Sequence, residues 1–358
     1  MGTAAAQKGP RPPRISVMTL PISKKFPPME AQPASDLPAG PEWHYEPKWD
    51  GFRCLAFRQD RNIELVSKSQ KPLTRYFPEL VAELSSLKAK NFVLDGEIVI
   101  PVDRKLSFDN LLMRIHPAES RVRKLSRETP CIFIVFDFLV DERGKPLVGL
   151  PLRQRRLKLE AFAKKYFKKN GLLLLSPMTR VLSLARKWFH MGVGLDGIVA
   201  KREDLSYQSG KRTGMQKIKR QRTADCVVGG FRYLEKKKSV GSLLLGLYND
   251  QGLLDHVGFS SSVRNEDREQ LTKKLEKIVK PPGFTGKAPG GLSRWSTKHS
   301  MEWQPVEPKL VAEVRFDHFT GGRFRHGAKF LRWRPDKNPR QCTMEQVKRE
   351  NRSALDLL

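Results

Sequence analysis

The chain has 358 residues, with 67 Lys and Arg against 38 Asp and Glu, and a formal charge of +29. That length supports two or three domains with cores of their own. The charge is spread through hydrophobically patterned segments, so it indicates a folded surface for a polyanion rather than a basic tail. No apolar run approaches a membrane span, and no signal-peptide hydrophobic region opens the chain. Cys54, Cys131, Cys226 and Cys342 stand apart without a CxxC pair, which excludes a disulfide framework and a zinc ribbon and points to a soluble, intracellular protein.

Residues 1–40, rich in Pro, Ala and basic residues, read as a flexible N-terminal tail and an extended lead-in, with Met18 as an alternative start. Over 41–222 strands and helices alternate. Strands are expected at 43–48, 52–57 and 62–67, then a helix over 76–90 with Leu80, Val81, Leu84 and Leu87 at helical spacing. Further strands are expected at 92–100, 131–140 and 195–201, with helices at 152–168, entered through Pro151, and at 182–191. Arg153, Arg155, Arg156 and Lys158 read as an ordinary helix surface. From 223 to 345 the texture is strand-dominated, with candidates at 224–234, 243–249, 254–260, 310–319 and 329–335 and a hairpin turn at 249–252. One amphipathic helix, 265–280, carries Leu271, Leu275 and Ile278 on one face. Five strands and a helix are the inventory of a closed β-barrel such as an OB-fold, although a β-sandwich fits the pattern nearly as well. Residues 346–358 read as a C-terminal tail. The fold class is α+β.

The most informative stretch is Lys48-Trp49-Asp50-Gly51-Phe52-Arg53, which has the form KxDGxR. If 43–48 is extended, Glu46 and Lys48 point to the same side. Asp95 and Glu97 share one face of a strand whose other face is Leu94, Ile98 and Ile100. Acids in such a strand are costly without a partner or a ligand, and Asp137 and Asp196 repeat the pattern. Lys217 and Lys219 share a face opposite Ile218. The set supplies a nucleophilic amine, carboxylates for a hard metal ion and cations for phosphate. A lysine attacks only when neutral, and its ordinary pKa of about 10.4 must be lowered by burial beside Lys217, Lys219 and a divalent metal. Attack on phosphorus then gives a lysyl phosphoramidate, with cations neutralising the phosphoryl oxygens.

Lys48 to Arg53, Asp95-Gly96-Glu97, Phe136-Asp137, Asp196 to Lys201, Lys217-Ile218-Lys219 and Arg334-Pro335-Asp336-Lys337 occur in the order of the nucleotidyltransferase motifs I, III, IIIa, IV, V and VI. Over about residues 42–340 the chain resembles the bacterial ATP-dependent DNA ligases of LigC type, including the stretches 222–228 and 321–326. The resemblance implies an adenylation (nucleotidyltransferase) domain of antiparallel sheets and helices, 41–222, followed by an OB-fold domain, 223–345. It implies that Lys48 becomes adenylated, that Glu46 reads the adenine amine and that Phe136 stacks on adenine. By the same resemblance Asp50 supports the lysine or the metal, and Arg53 contacts the ribose and a nucleic-acid phosphate. Glu97 would bind the ribose hydroxyls and join Asp196 as a metal ligand. Asp196 stands where many relatives have glutamate, which shortens its reach. Lys217 and Lys219 would bind the α-phosphate, and Arg334 and Lys337 the β- and γ-phosphates. Lys68 stands where the family has arginine, so the charge at the nick phosphate is kept without the bidentate fork.

Lys211, Arg212, Lys217, Lys219, Arg220 and Arg222 form a run without an acid at the domain junction, and Arg323 and Arg325 begin a second cluster. Both suit backbone contacts to a nicked duplex rather than base reading. The implied cosubstrate is ATP with Mg2+ or Mn2+. The implied setting is a cytoplasmic, nucleoid-associated monomer in DNA repair, such as base excision repair, partnered by a gap-filling repair polymerase. Two other functions fit the chemistry: an RNA ligase or GTP-dependent capping-type enzyme, and a non-catalytic OB-fold DNA-binding protein. Glu46 favours adenine over guanine, and retention of the lysines and acids argues against a non-catalytic role.

Overall fold

The computed structural model describes residues 19–103, 105–190, 195–220, 222–235, 237–264, 266–290, 302–347 and 354–358. Much of the expected N-terminal tail (1–18) and part of the expected C-terminal tail (348–353) lie outside the described residues. The first half runs β1 (Gln32–Ala34), β2 (Trp43–Trp49), β3 (Phe52–Gln59), β4 (Asn62–Ser67), α1 (Pro78–Ser86) and β5 (Asn91–Val99). It continues with β6 (Pro101–Val102), β7 (Lys105–Leu106), α2 (Phe108–Met113), α3 (Glu119–Glu128) and β8 (Ile132–Val140). Then come α4 (Leu152–Tyr166), β9 (Leu173–Leu175), α5 (Leu182–His190), β10 (Leu195–Arg202) and β11 (Met215–Lys219).

These strands make two main sheets, β4-β3-β5-β8-β9 and β1-β11-β10-β2, antiparallel except for the parallel pairs β8–β9 and β1–β11, and a separate β6–β7 hairpin. The chain passes from one sheet to the other at Asp50-Gly51, because β2 and β3 belong to different sheets. A Cβ on Gly51 would lie 2.2 Å from the Ile98 carbonyl oxygen, so only glycine allows this crossing. The alternation of β5 behaves as the sequence requires. Leu94, Ile98 and Ile100 pack with Phe133, Val135, Leu80, Leu84 and Phe162 in the main core, each such buried side chain contributing about 1.5–3 kcal/mol. Val93, on the opposite face, packs with Leu55, Phe57 and Val66.

The helix expected over 76–90 is shorter. Pro78 disfavours helical geometry in the residue before it, and Phe77 sits at φ −133°, ψ 60°, so α1 starts at Pro78 and ends at the extended Leu87. Helices α2 and α3 were not expected; α3 buries only Val122 and Ser126, too thin an apolar stripe to register in the sequence. Helix α4 corrects another reading. Arg155 and Arg156 are not on its surface but buried, because they lie on the face that also carries Leu159, Phe162 and Ala163.

The remaining chain forms β12 (Arg222–Leu234), β13 (Lys237–Tyr248), β14 (Leu254–Ser260), α6 (Arg268–Glu276), β15 (Gln304–Pro305), β16 (Val311–Phe316), β17 (Phe319–Thr320), β18 (Arg323–Phe324) and β19 (Lys329–Trp333). The strand order is β14-β13-β12-β16-β19, with β15 joining β12 and the short β17–β18 hairpin apart. The sheet curls until its edges meet. Ala328 N–H donates to the Phe259 carbonyl (2.8 Å) and Phe330 N–H to Ser262 Oγ (2.7 Å). This is an OB-fold domain whose edges are joined by single bonds rather than a continuous ladder, over a core of Val227, Phe231, Leu245, Leu275 and Val314. Residues 354–358 return to the first half of the chain, where Ala354 is buried with Trp49, Val99, Leu106 and Ile134. No described helix is long and apolar enough to cross a membrane, and all four cysteines are buried and unpaired.

Candidate active site

Strand register assembles the site. Across β2, β10 and β11, Lys48 lies opposite Gly197, which lies opposite Lys219; one step along, Glu46 faces Val199 and Val199 faces Lys217. The amine and both motif lysines thus share one end of one sheet. Gly197 has φ +141°, and a Cβ there would come within 2.0 Å of the Ile218 carbonyl oxygen. Its glycine permits the irregular pairing that presents Asp196 to Lys48. On the facing sheet Arg53 lies opposite Glu97 and Leu55 opposite Asp95. Between the sheets is a cavity of about 180 Å³ lined by Glu46, Lys48, Arg53, Lys68, Glu97, Phe136, Lys201 and Lys217. Its lining joins an aromatic ring, carboxylates and cations, the mixture that a nucleotide's base, sugar and phosphates call for.

Asp196 pairs with the Lys48 amine, with Lys219 at 3.3 Å and with His318 Nε2 at 2.8 Å. Burial works against its charge, but His318 and Lys48 outweigh it and hold the carboxyl far below its ordinary range. Glu97 is half-buried and makes no hydrogen bond or ion pair with any described residue. Burial raises its pKa to about 7, although Lys48 and Arg53 oppose the rise. Glu46 is buried, yet Lys201 and His44 overcome desolvation and bring its pKa down to about 2. Lys217 is lowered by burial and by the neighbouring cations Lys48 and Lys68.

Arg53 forks onto Asp95 (2.5 and 2.6 Å), whose second oxygen also accepts from Tyr207 Oη at 2.7 Å. Its guanidinium and the Lys201 amine each lie 4.5 Å from the Phe136 ring centroid. Asp137, the acid next in β8, is engaged by Arg155 in a buried bidentate pair at 2.8 Å and does not join the cavity.

The OB-fold domain reaches into this site. Arg325 forks onto Asp50 at 2.8 and 2.9 Å and lies 3.9 Å from the Phe108 ring centroid. His318 spans Asp196 and, at 3.7 Å, Asp50. Beside them, Arg220 and Arg222 line a hollow with Asp50, Asp196, Asp317 and His318. Lys68 and Arg212 converge on Glu30 at 3.0 and 3.5 Å, and Arg323 lies on the exposed β18. Lys211 is exposed beside Arg212. Arg334 and Lys337 are held elsewhere: Arg334 pairs with Asp225 and Asp336, and Lys337 lies 3.8 Å from Asp225. The structure therefore brings Glu46, Lys48, Arg53, Glu97, Phe136 and Lys217 to one cavity and Asp50, Asp196 and Lys219 to its rim, but leaves the last motif outside. His44, Lys201, Tyr207 and His318 were missed as site residues. Lys201 stood in the fourth motif without a role, whereas nothing in the sequence links His318 to Asp196, 122 positions away.

Among the described residues no group of three or more His, Cys, Asp or Glu side chains is preformed for a metal. Mg2+ ordinarily takes only one or two carboxylates and completes its shell with phosphate and water, and Asp196 and Glu97 are the carboxylates that could serve it here. A divalent ion and a nucleotide both fit the residues present.

Two sheets enclosing a cavity lined by a motif lysine, carboxylates and an aromatic ring, with an OB-fold beyond it, define a covalent nucleotidyltransferase. The family model for the ATP dependent DNA ligase domain matches residues 28–219, and that for the ATP dependent DNA ligase C terminal region matches residues 236–337. DNA ligase C2 of Mycolicibacterium smegmatis is 42% identical over 347 residues, covering 92% of this chain and 96% of that protein. DNA ligase C of Mycobacterium tuberculosis is 40% identical over 348 residues, covering 93% and 96%. A solved structure of a Lig E DNA ligase, described as DNA binding with a minimal scaffold, aligns with a TM-score of 0.53 at 17% identity, covering 86% of this chain and 99% of that one, and shares the fold. The chain belongs to the ATP-dependent DNA ligases, of the DNA ligase C type. Enzymes of this kind join a 3′-hydroxyl to a 5′-phosphate at nicks in DNA through lysyl-AMP and DNA-adenylate, using ATP and a divalent metal, and a role in DNA repair is consistent with that activity.

Proposed function

We propose that Lys48 is the residue adenylated in this ligase. The observation that carries the reading is the cross-strand row Lys48–Gly197–Lys219, with Asp196 bonded to the amine at its end. In the first step Nζ leaves its ion pair with Asp196, gives up a proton to solvent and attacks the α-phosphorus as the neutral amine; a P–N bond forms as the bond to pyrophosphate breaks. A 5′-phosphate oxygen then takes the adenylate from the lysine, and the 3′-hydroxyl displaces AMP. Within the cavity Glu46 accepts from the adenine amine, Phe136 packs on the base, Glu97 holds the ribose, and Lys217 and Lys219 bind the α-phosphate. Arg53, already forked onto Asp95, offers its outer edge to ribose or a nick phosphate. Asp196 and Glu97 would hold Mg2+ or Mn2+, which supplies neutralising charge to the phosphoryl oxygens.

Arg334 and Lys337 serve the first step only after the OB-fold domain (223–345) rotates on the adenylation domain (41–222). The arrangement observed, with Arg325 and His318 on Asp50 and Asp196, is then one of at least two. Lys68, Lys211, Arg212, Arg220, Arg222, Arg323 and Arg325 are assigned to the phosphates of nicked duplex DNA, in accord with the charge of +29. The enzyme acts as a monomer in the nucleoid-associated cytoplasm and seals nicks left by a gap-filling repair polymerase, as in base excision repair.

The test is incubation with α-labelled ATP followed by denaturing electrophoresis. Wild type is expected to retain label and Lys48→Ala none; label on the mutant would refute the assignment.

A further inference from the structure

Glu46 is supported by a layer of charge behind the cavity. Its Oε1 lies 3.0 Å from His44 Nε2 and 2.9 Å from Lys201 Nζ, so both contacts fall on one oxygen and leave the other for a ligand. On the far side His44 Nδ1 lies 3.2 Å from Glu203 Oε1, which also accepts from Arg180 Nε at 2.7 Å. His44 is fully buried. Both of its ring nitrogens face carboxylate oxygens, and an ionised carboxylate can only accept. A neutral imidazole has one N–H, so it would set a lone pair against one of the two acids. Each acid also faces a fixed cation, Glu46 the Lys201 amine and Glu203 the Arg180 guanidinium, which favours its ionised, proton-accepting form. With both acids accepting, a ring that donates from both nitrogens fits the two contacts.

We propose that His44 is a doubly donating positioning residue that ties Glu46 to Glu203 and fixes the Glu46 carboxylate for the adenine amine, so that selection of ATP over GTP depends on it. The proposal deepens the reading of Glu46 as the adenine reader and rests on it. A carboxylate held rigidly against N6–H2 rejects guanine because it meets the O6 acceptor, whereas a loosely held one can swing aside.

Self-adenylation measured with ATP and with GTP, as KM and maximal rate separately, tests the idea. For His44→Ala the KM for ATP is expected to rise about tenfold and the preference over GTP to fall about tenfold, the scale of one charge-assisted hydrogen bond, with the maximal rate within about twofold. His44→Gln, which keeps one donor toward Glu46, should recover most of both. Should His44→Ala fail to fold, His44→Leu fills the space without a donor and carries the same expectation. A folded donor-less variant with wild-type KM and preference, alongside a Glu46→Gln variant that loses them, overturns the role of His44 alone. If Glu46→Gln also keeps both, the adenine reading itself fails, and this proposal with it.

Discussion

Glu97→Gln should make the free protein more stable while removing its activity. Glu97 is a half-buried acid with no described partner, and burial raises its pKa from 4.5 to about 7 against the pull of Lys48 and Arg53. The unfolded chain releases this proton near the ordinary value, whereas the folded chain retains it to about 7. As pH rises between those values the unfolded state binds fewer protons than the native state, so stability falls through that window and stays lost above it. At about 1.4 kcal/mol per pKa unit the ceiling is about 3 kcal/mol, and solvent screening at a partly exposed group reduces it to about 1–2 kcal/mol. Glutamine is neutral throughout and escapes the penalty. Thermal unfolding with chelator present should therefore show the mutant melting about 2–6 °C higher at about pH 8, and the gain shrinking to about 0.5 kcal/mol near pH 5. Labelling with ATP should be lost at the same time. A mutant that melts no higher than wild type at pH 8, or gains equally at both pH values, would show that Glu97 carries no such burden.

Arg325→Ala removes the fork onto Asp50 and the packing on Phe108 that join the two domains. It should weaken their docking by about 2–4 kcal/mol, read as an increased radius of gyration in small-angle scattering and faster proteolysis between them; an unchanged radius would place the docking energy elsewhere. Arg114 is fully buried, forks onto Glu79 at 2.6 and 2.7 Å and donates to the Tyr76 and Thr129 carbonyls. Arg114→Met strands the Glu79 charge and should cost about 3–5 kcal/mol in denaturant unfolding. A loss under about 1 kcal/mol would mean that Glu79 takes a proton or finds water instead.

Phe77 shows where local sequence misleads. The apolar spacing of Leu80, Val81, Leu84 and Leu87 is helical in period, but Pro78 sets where the helix can begin, and the residues ahead of it turn instead. Arg155 and Arg156 mislead in the opposite direction. Four cations within two helical turns look like a wet surface, yet Asp137 and the Ser176 carbonyl meet two of them inside the protein. Asp137 had announced its need for a partner, as an acid in the apolar run of β8; which residue met that need could not be read from spacing.

The strand faces belong to the sequence. A period of two places Glu46 with Lys48, Asp95 with Glu97 and Lys217 with Lys219 wherever those segments are extended, because successive side chains alternate sides. The glycines at 51 and 197 mark close approaches that no side chain permits. What the order of residues could not fix is which charges meet. Lys48 on Asp196, Arg325 on Asp50 and His318 on Asp196 join positions 122 to 275 apart. Pairs at such separations depend on how two sheets and a barrel dock, and docking is set by the summed burial of many apolar side chains rather than by any local pattern.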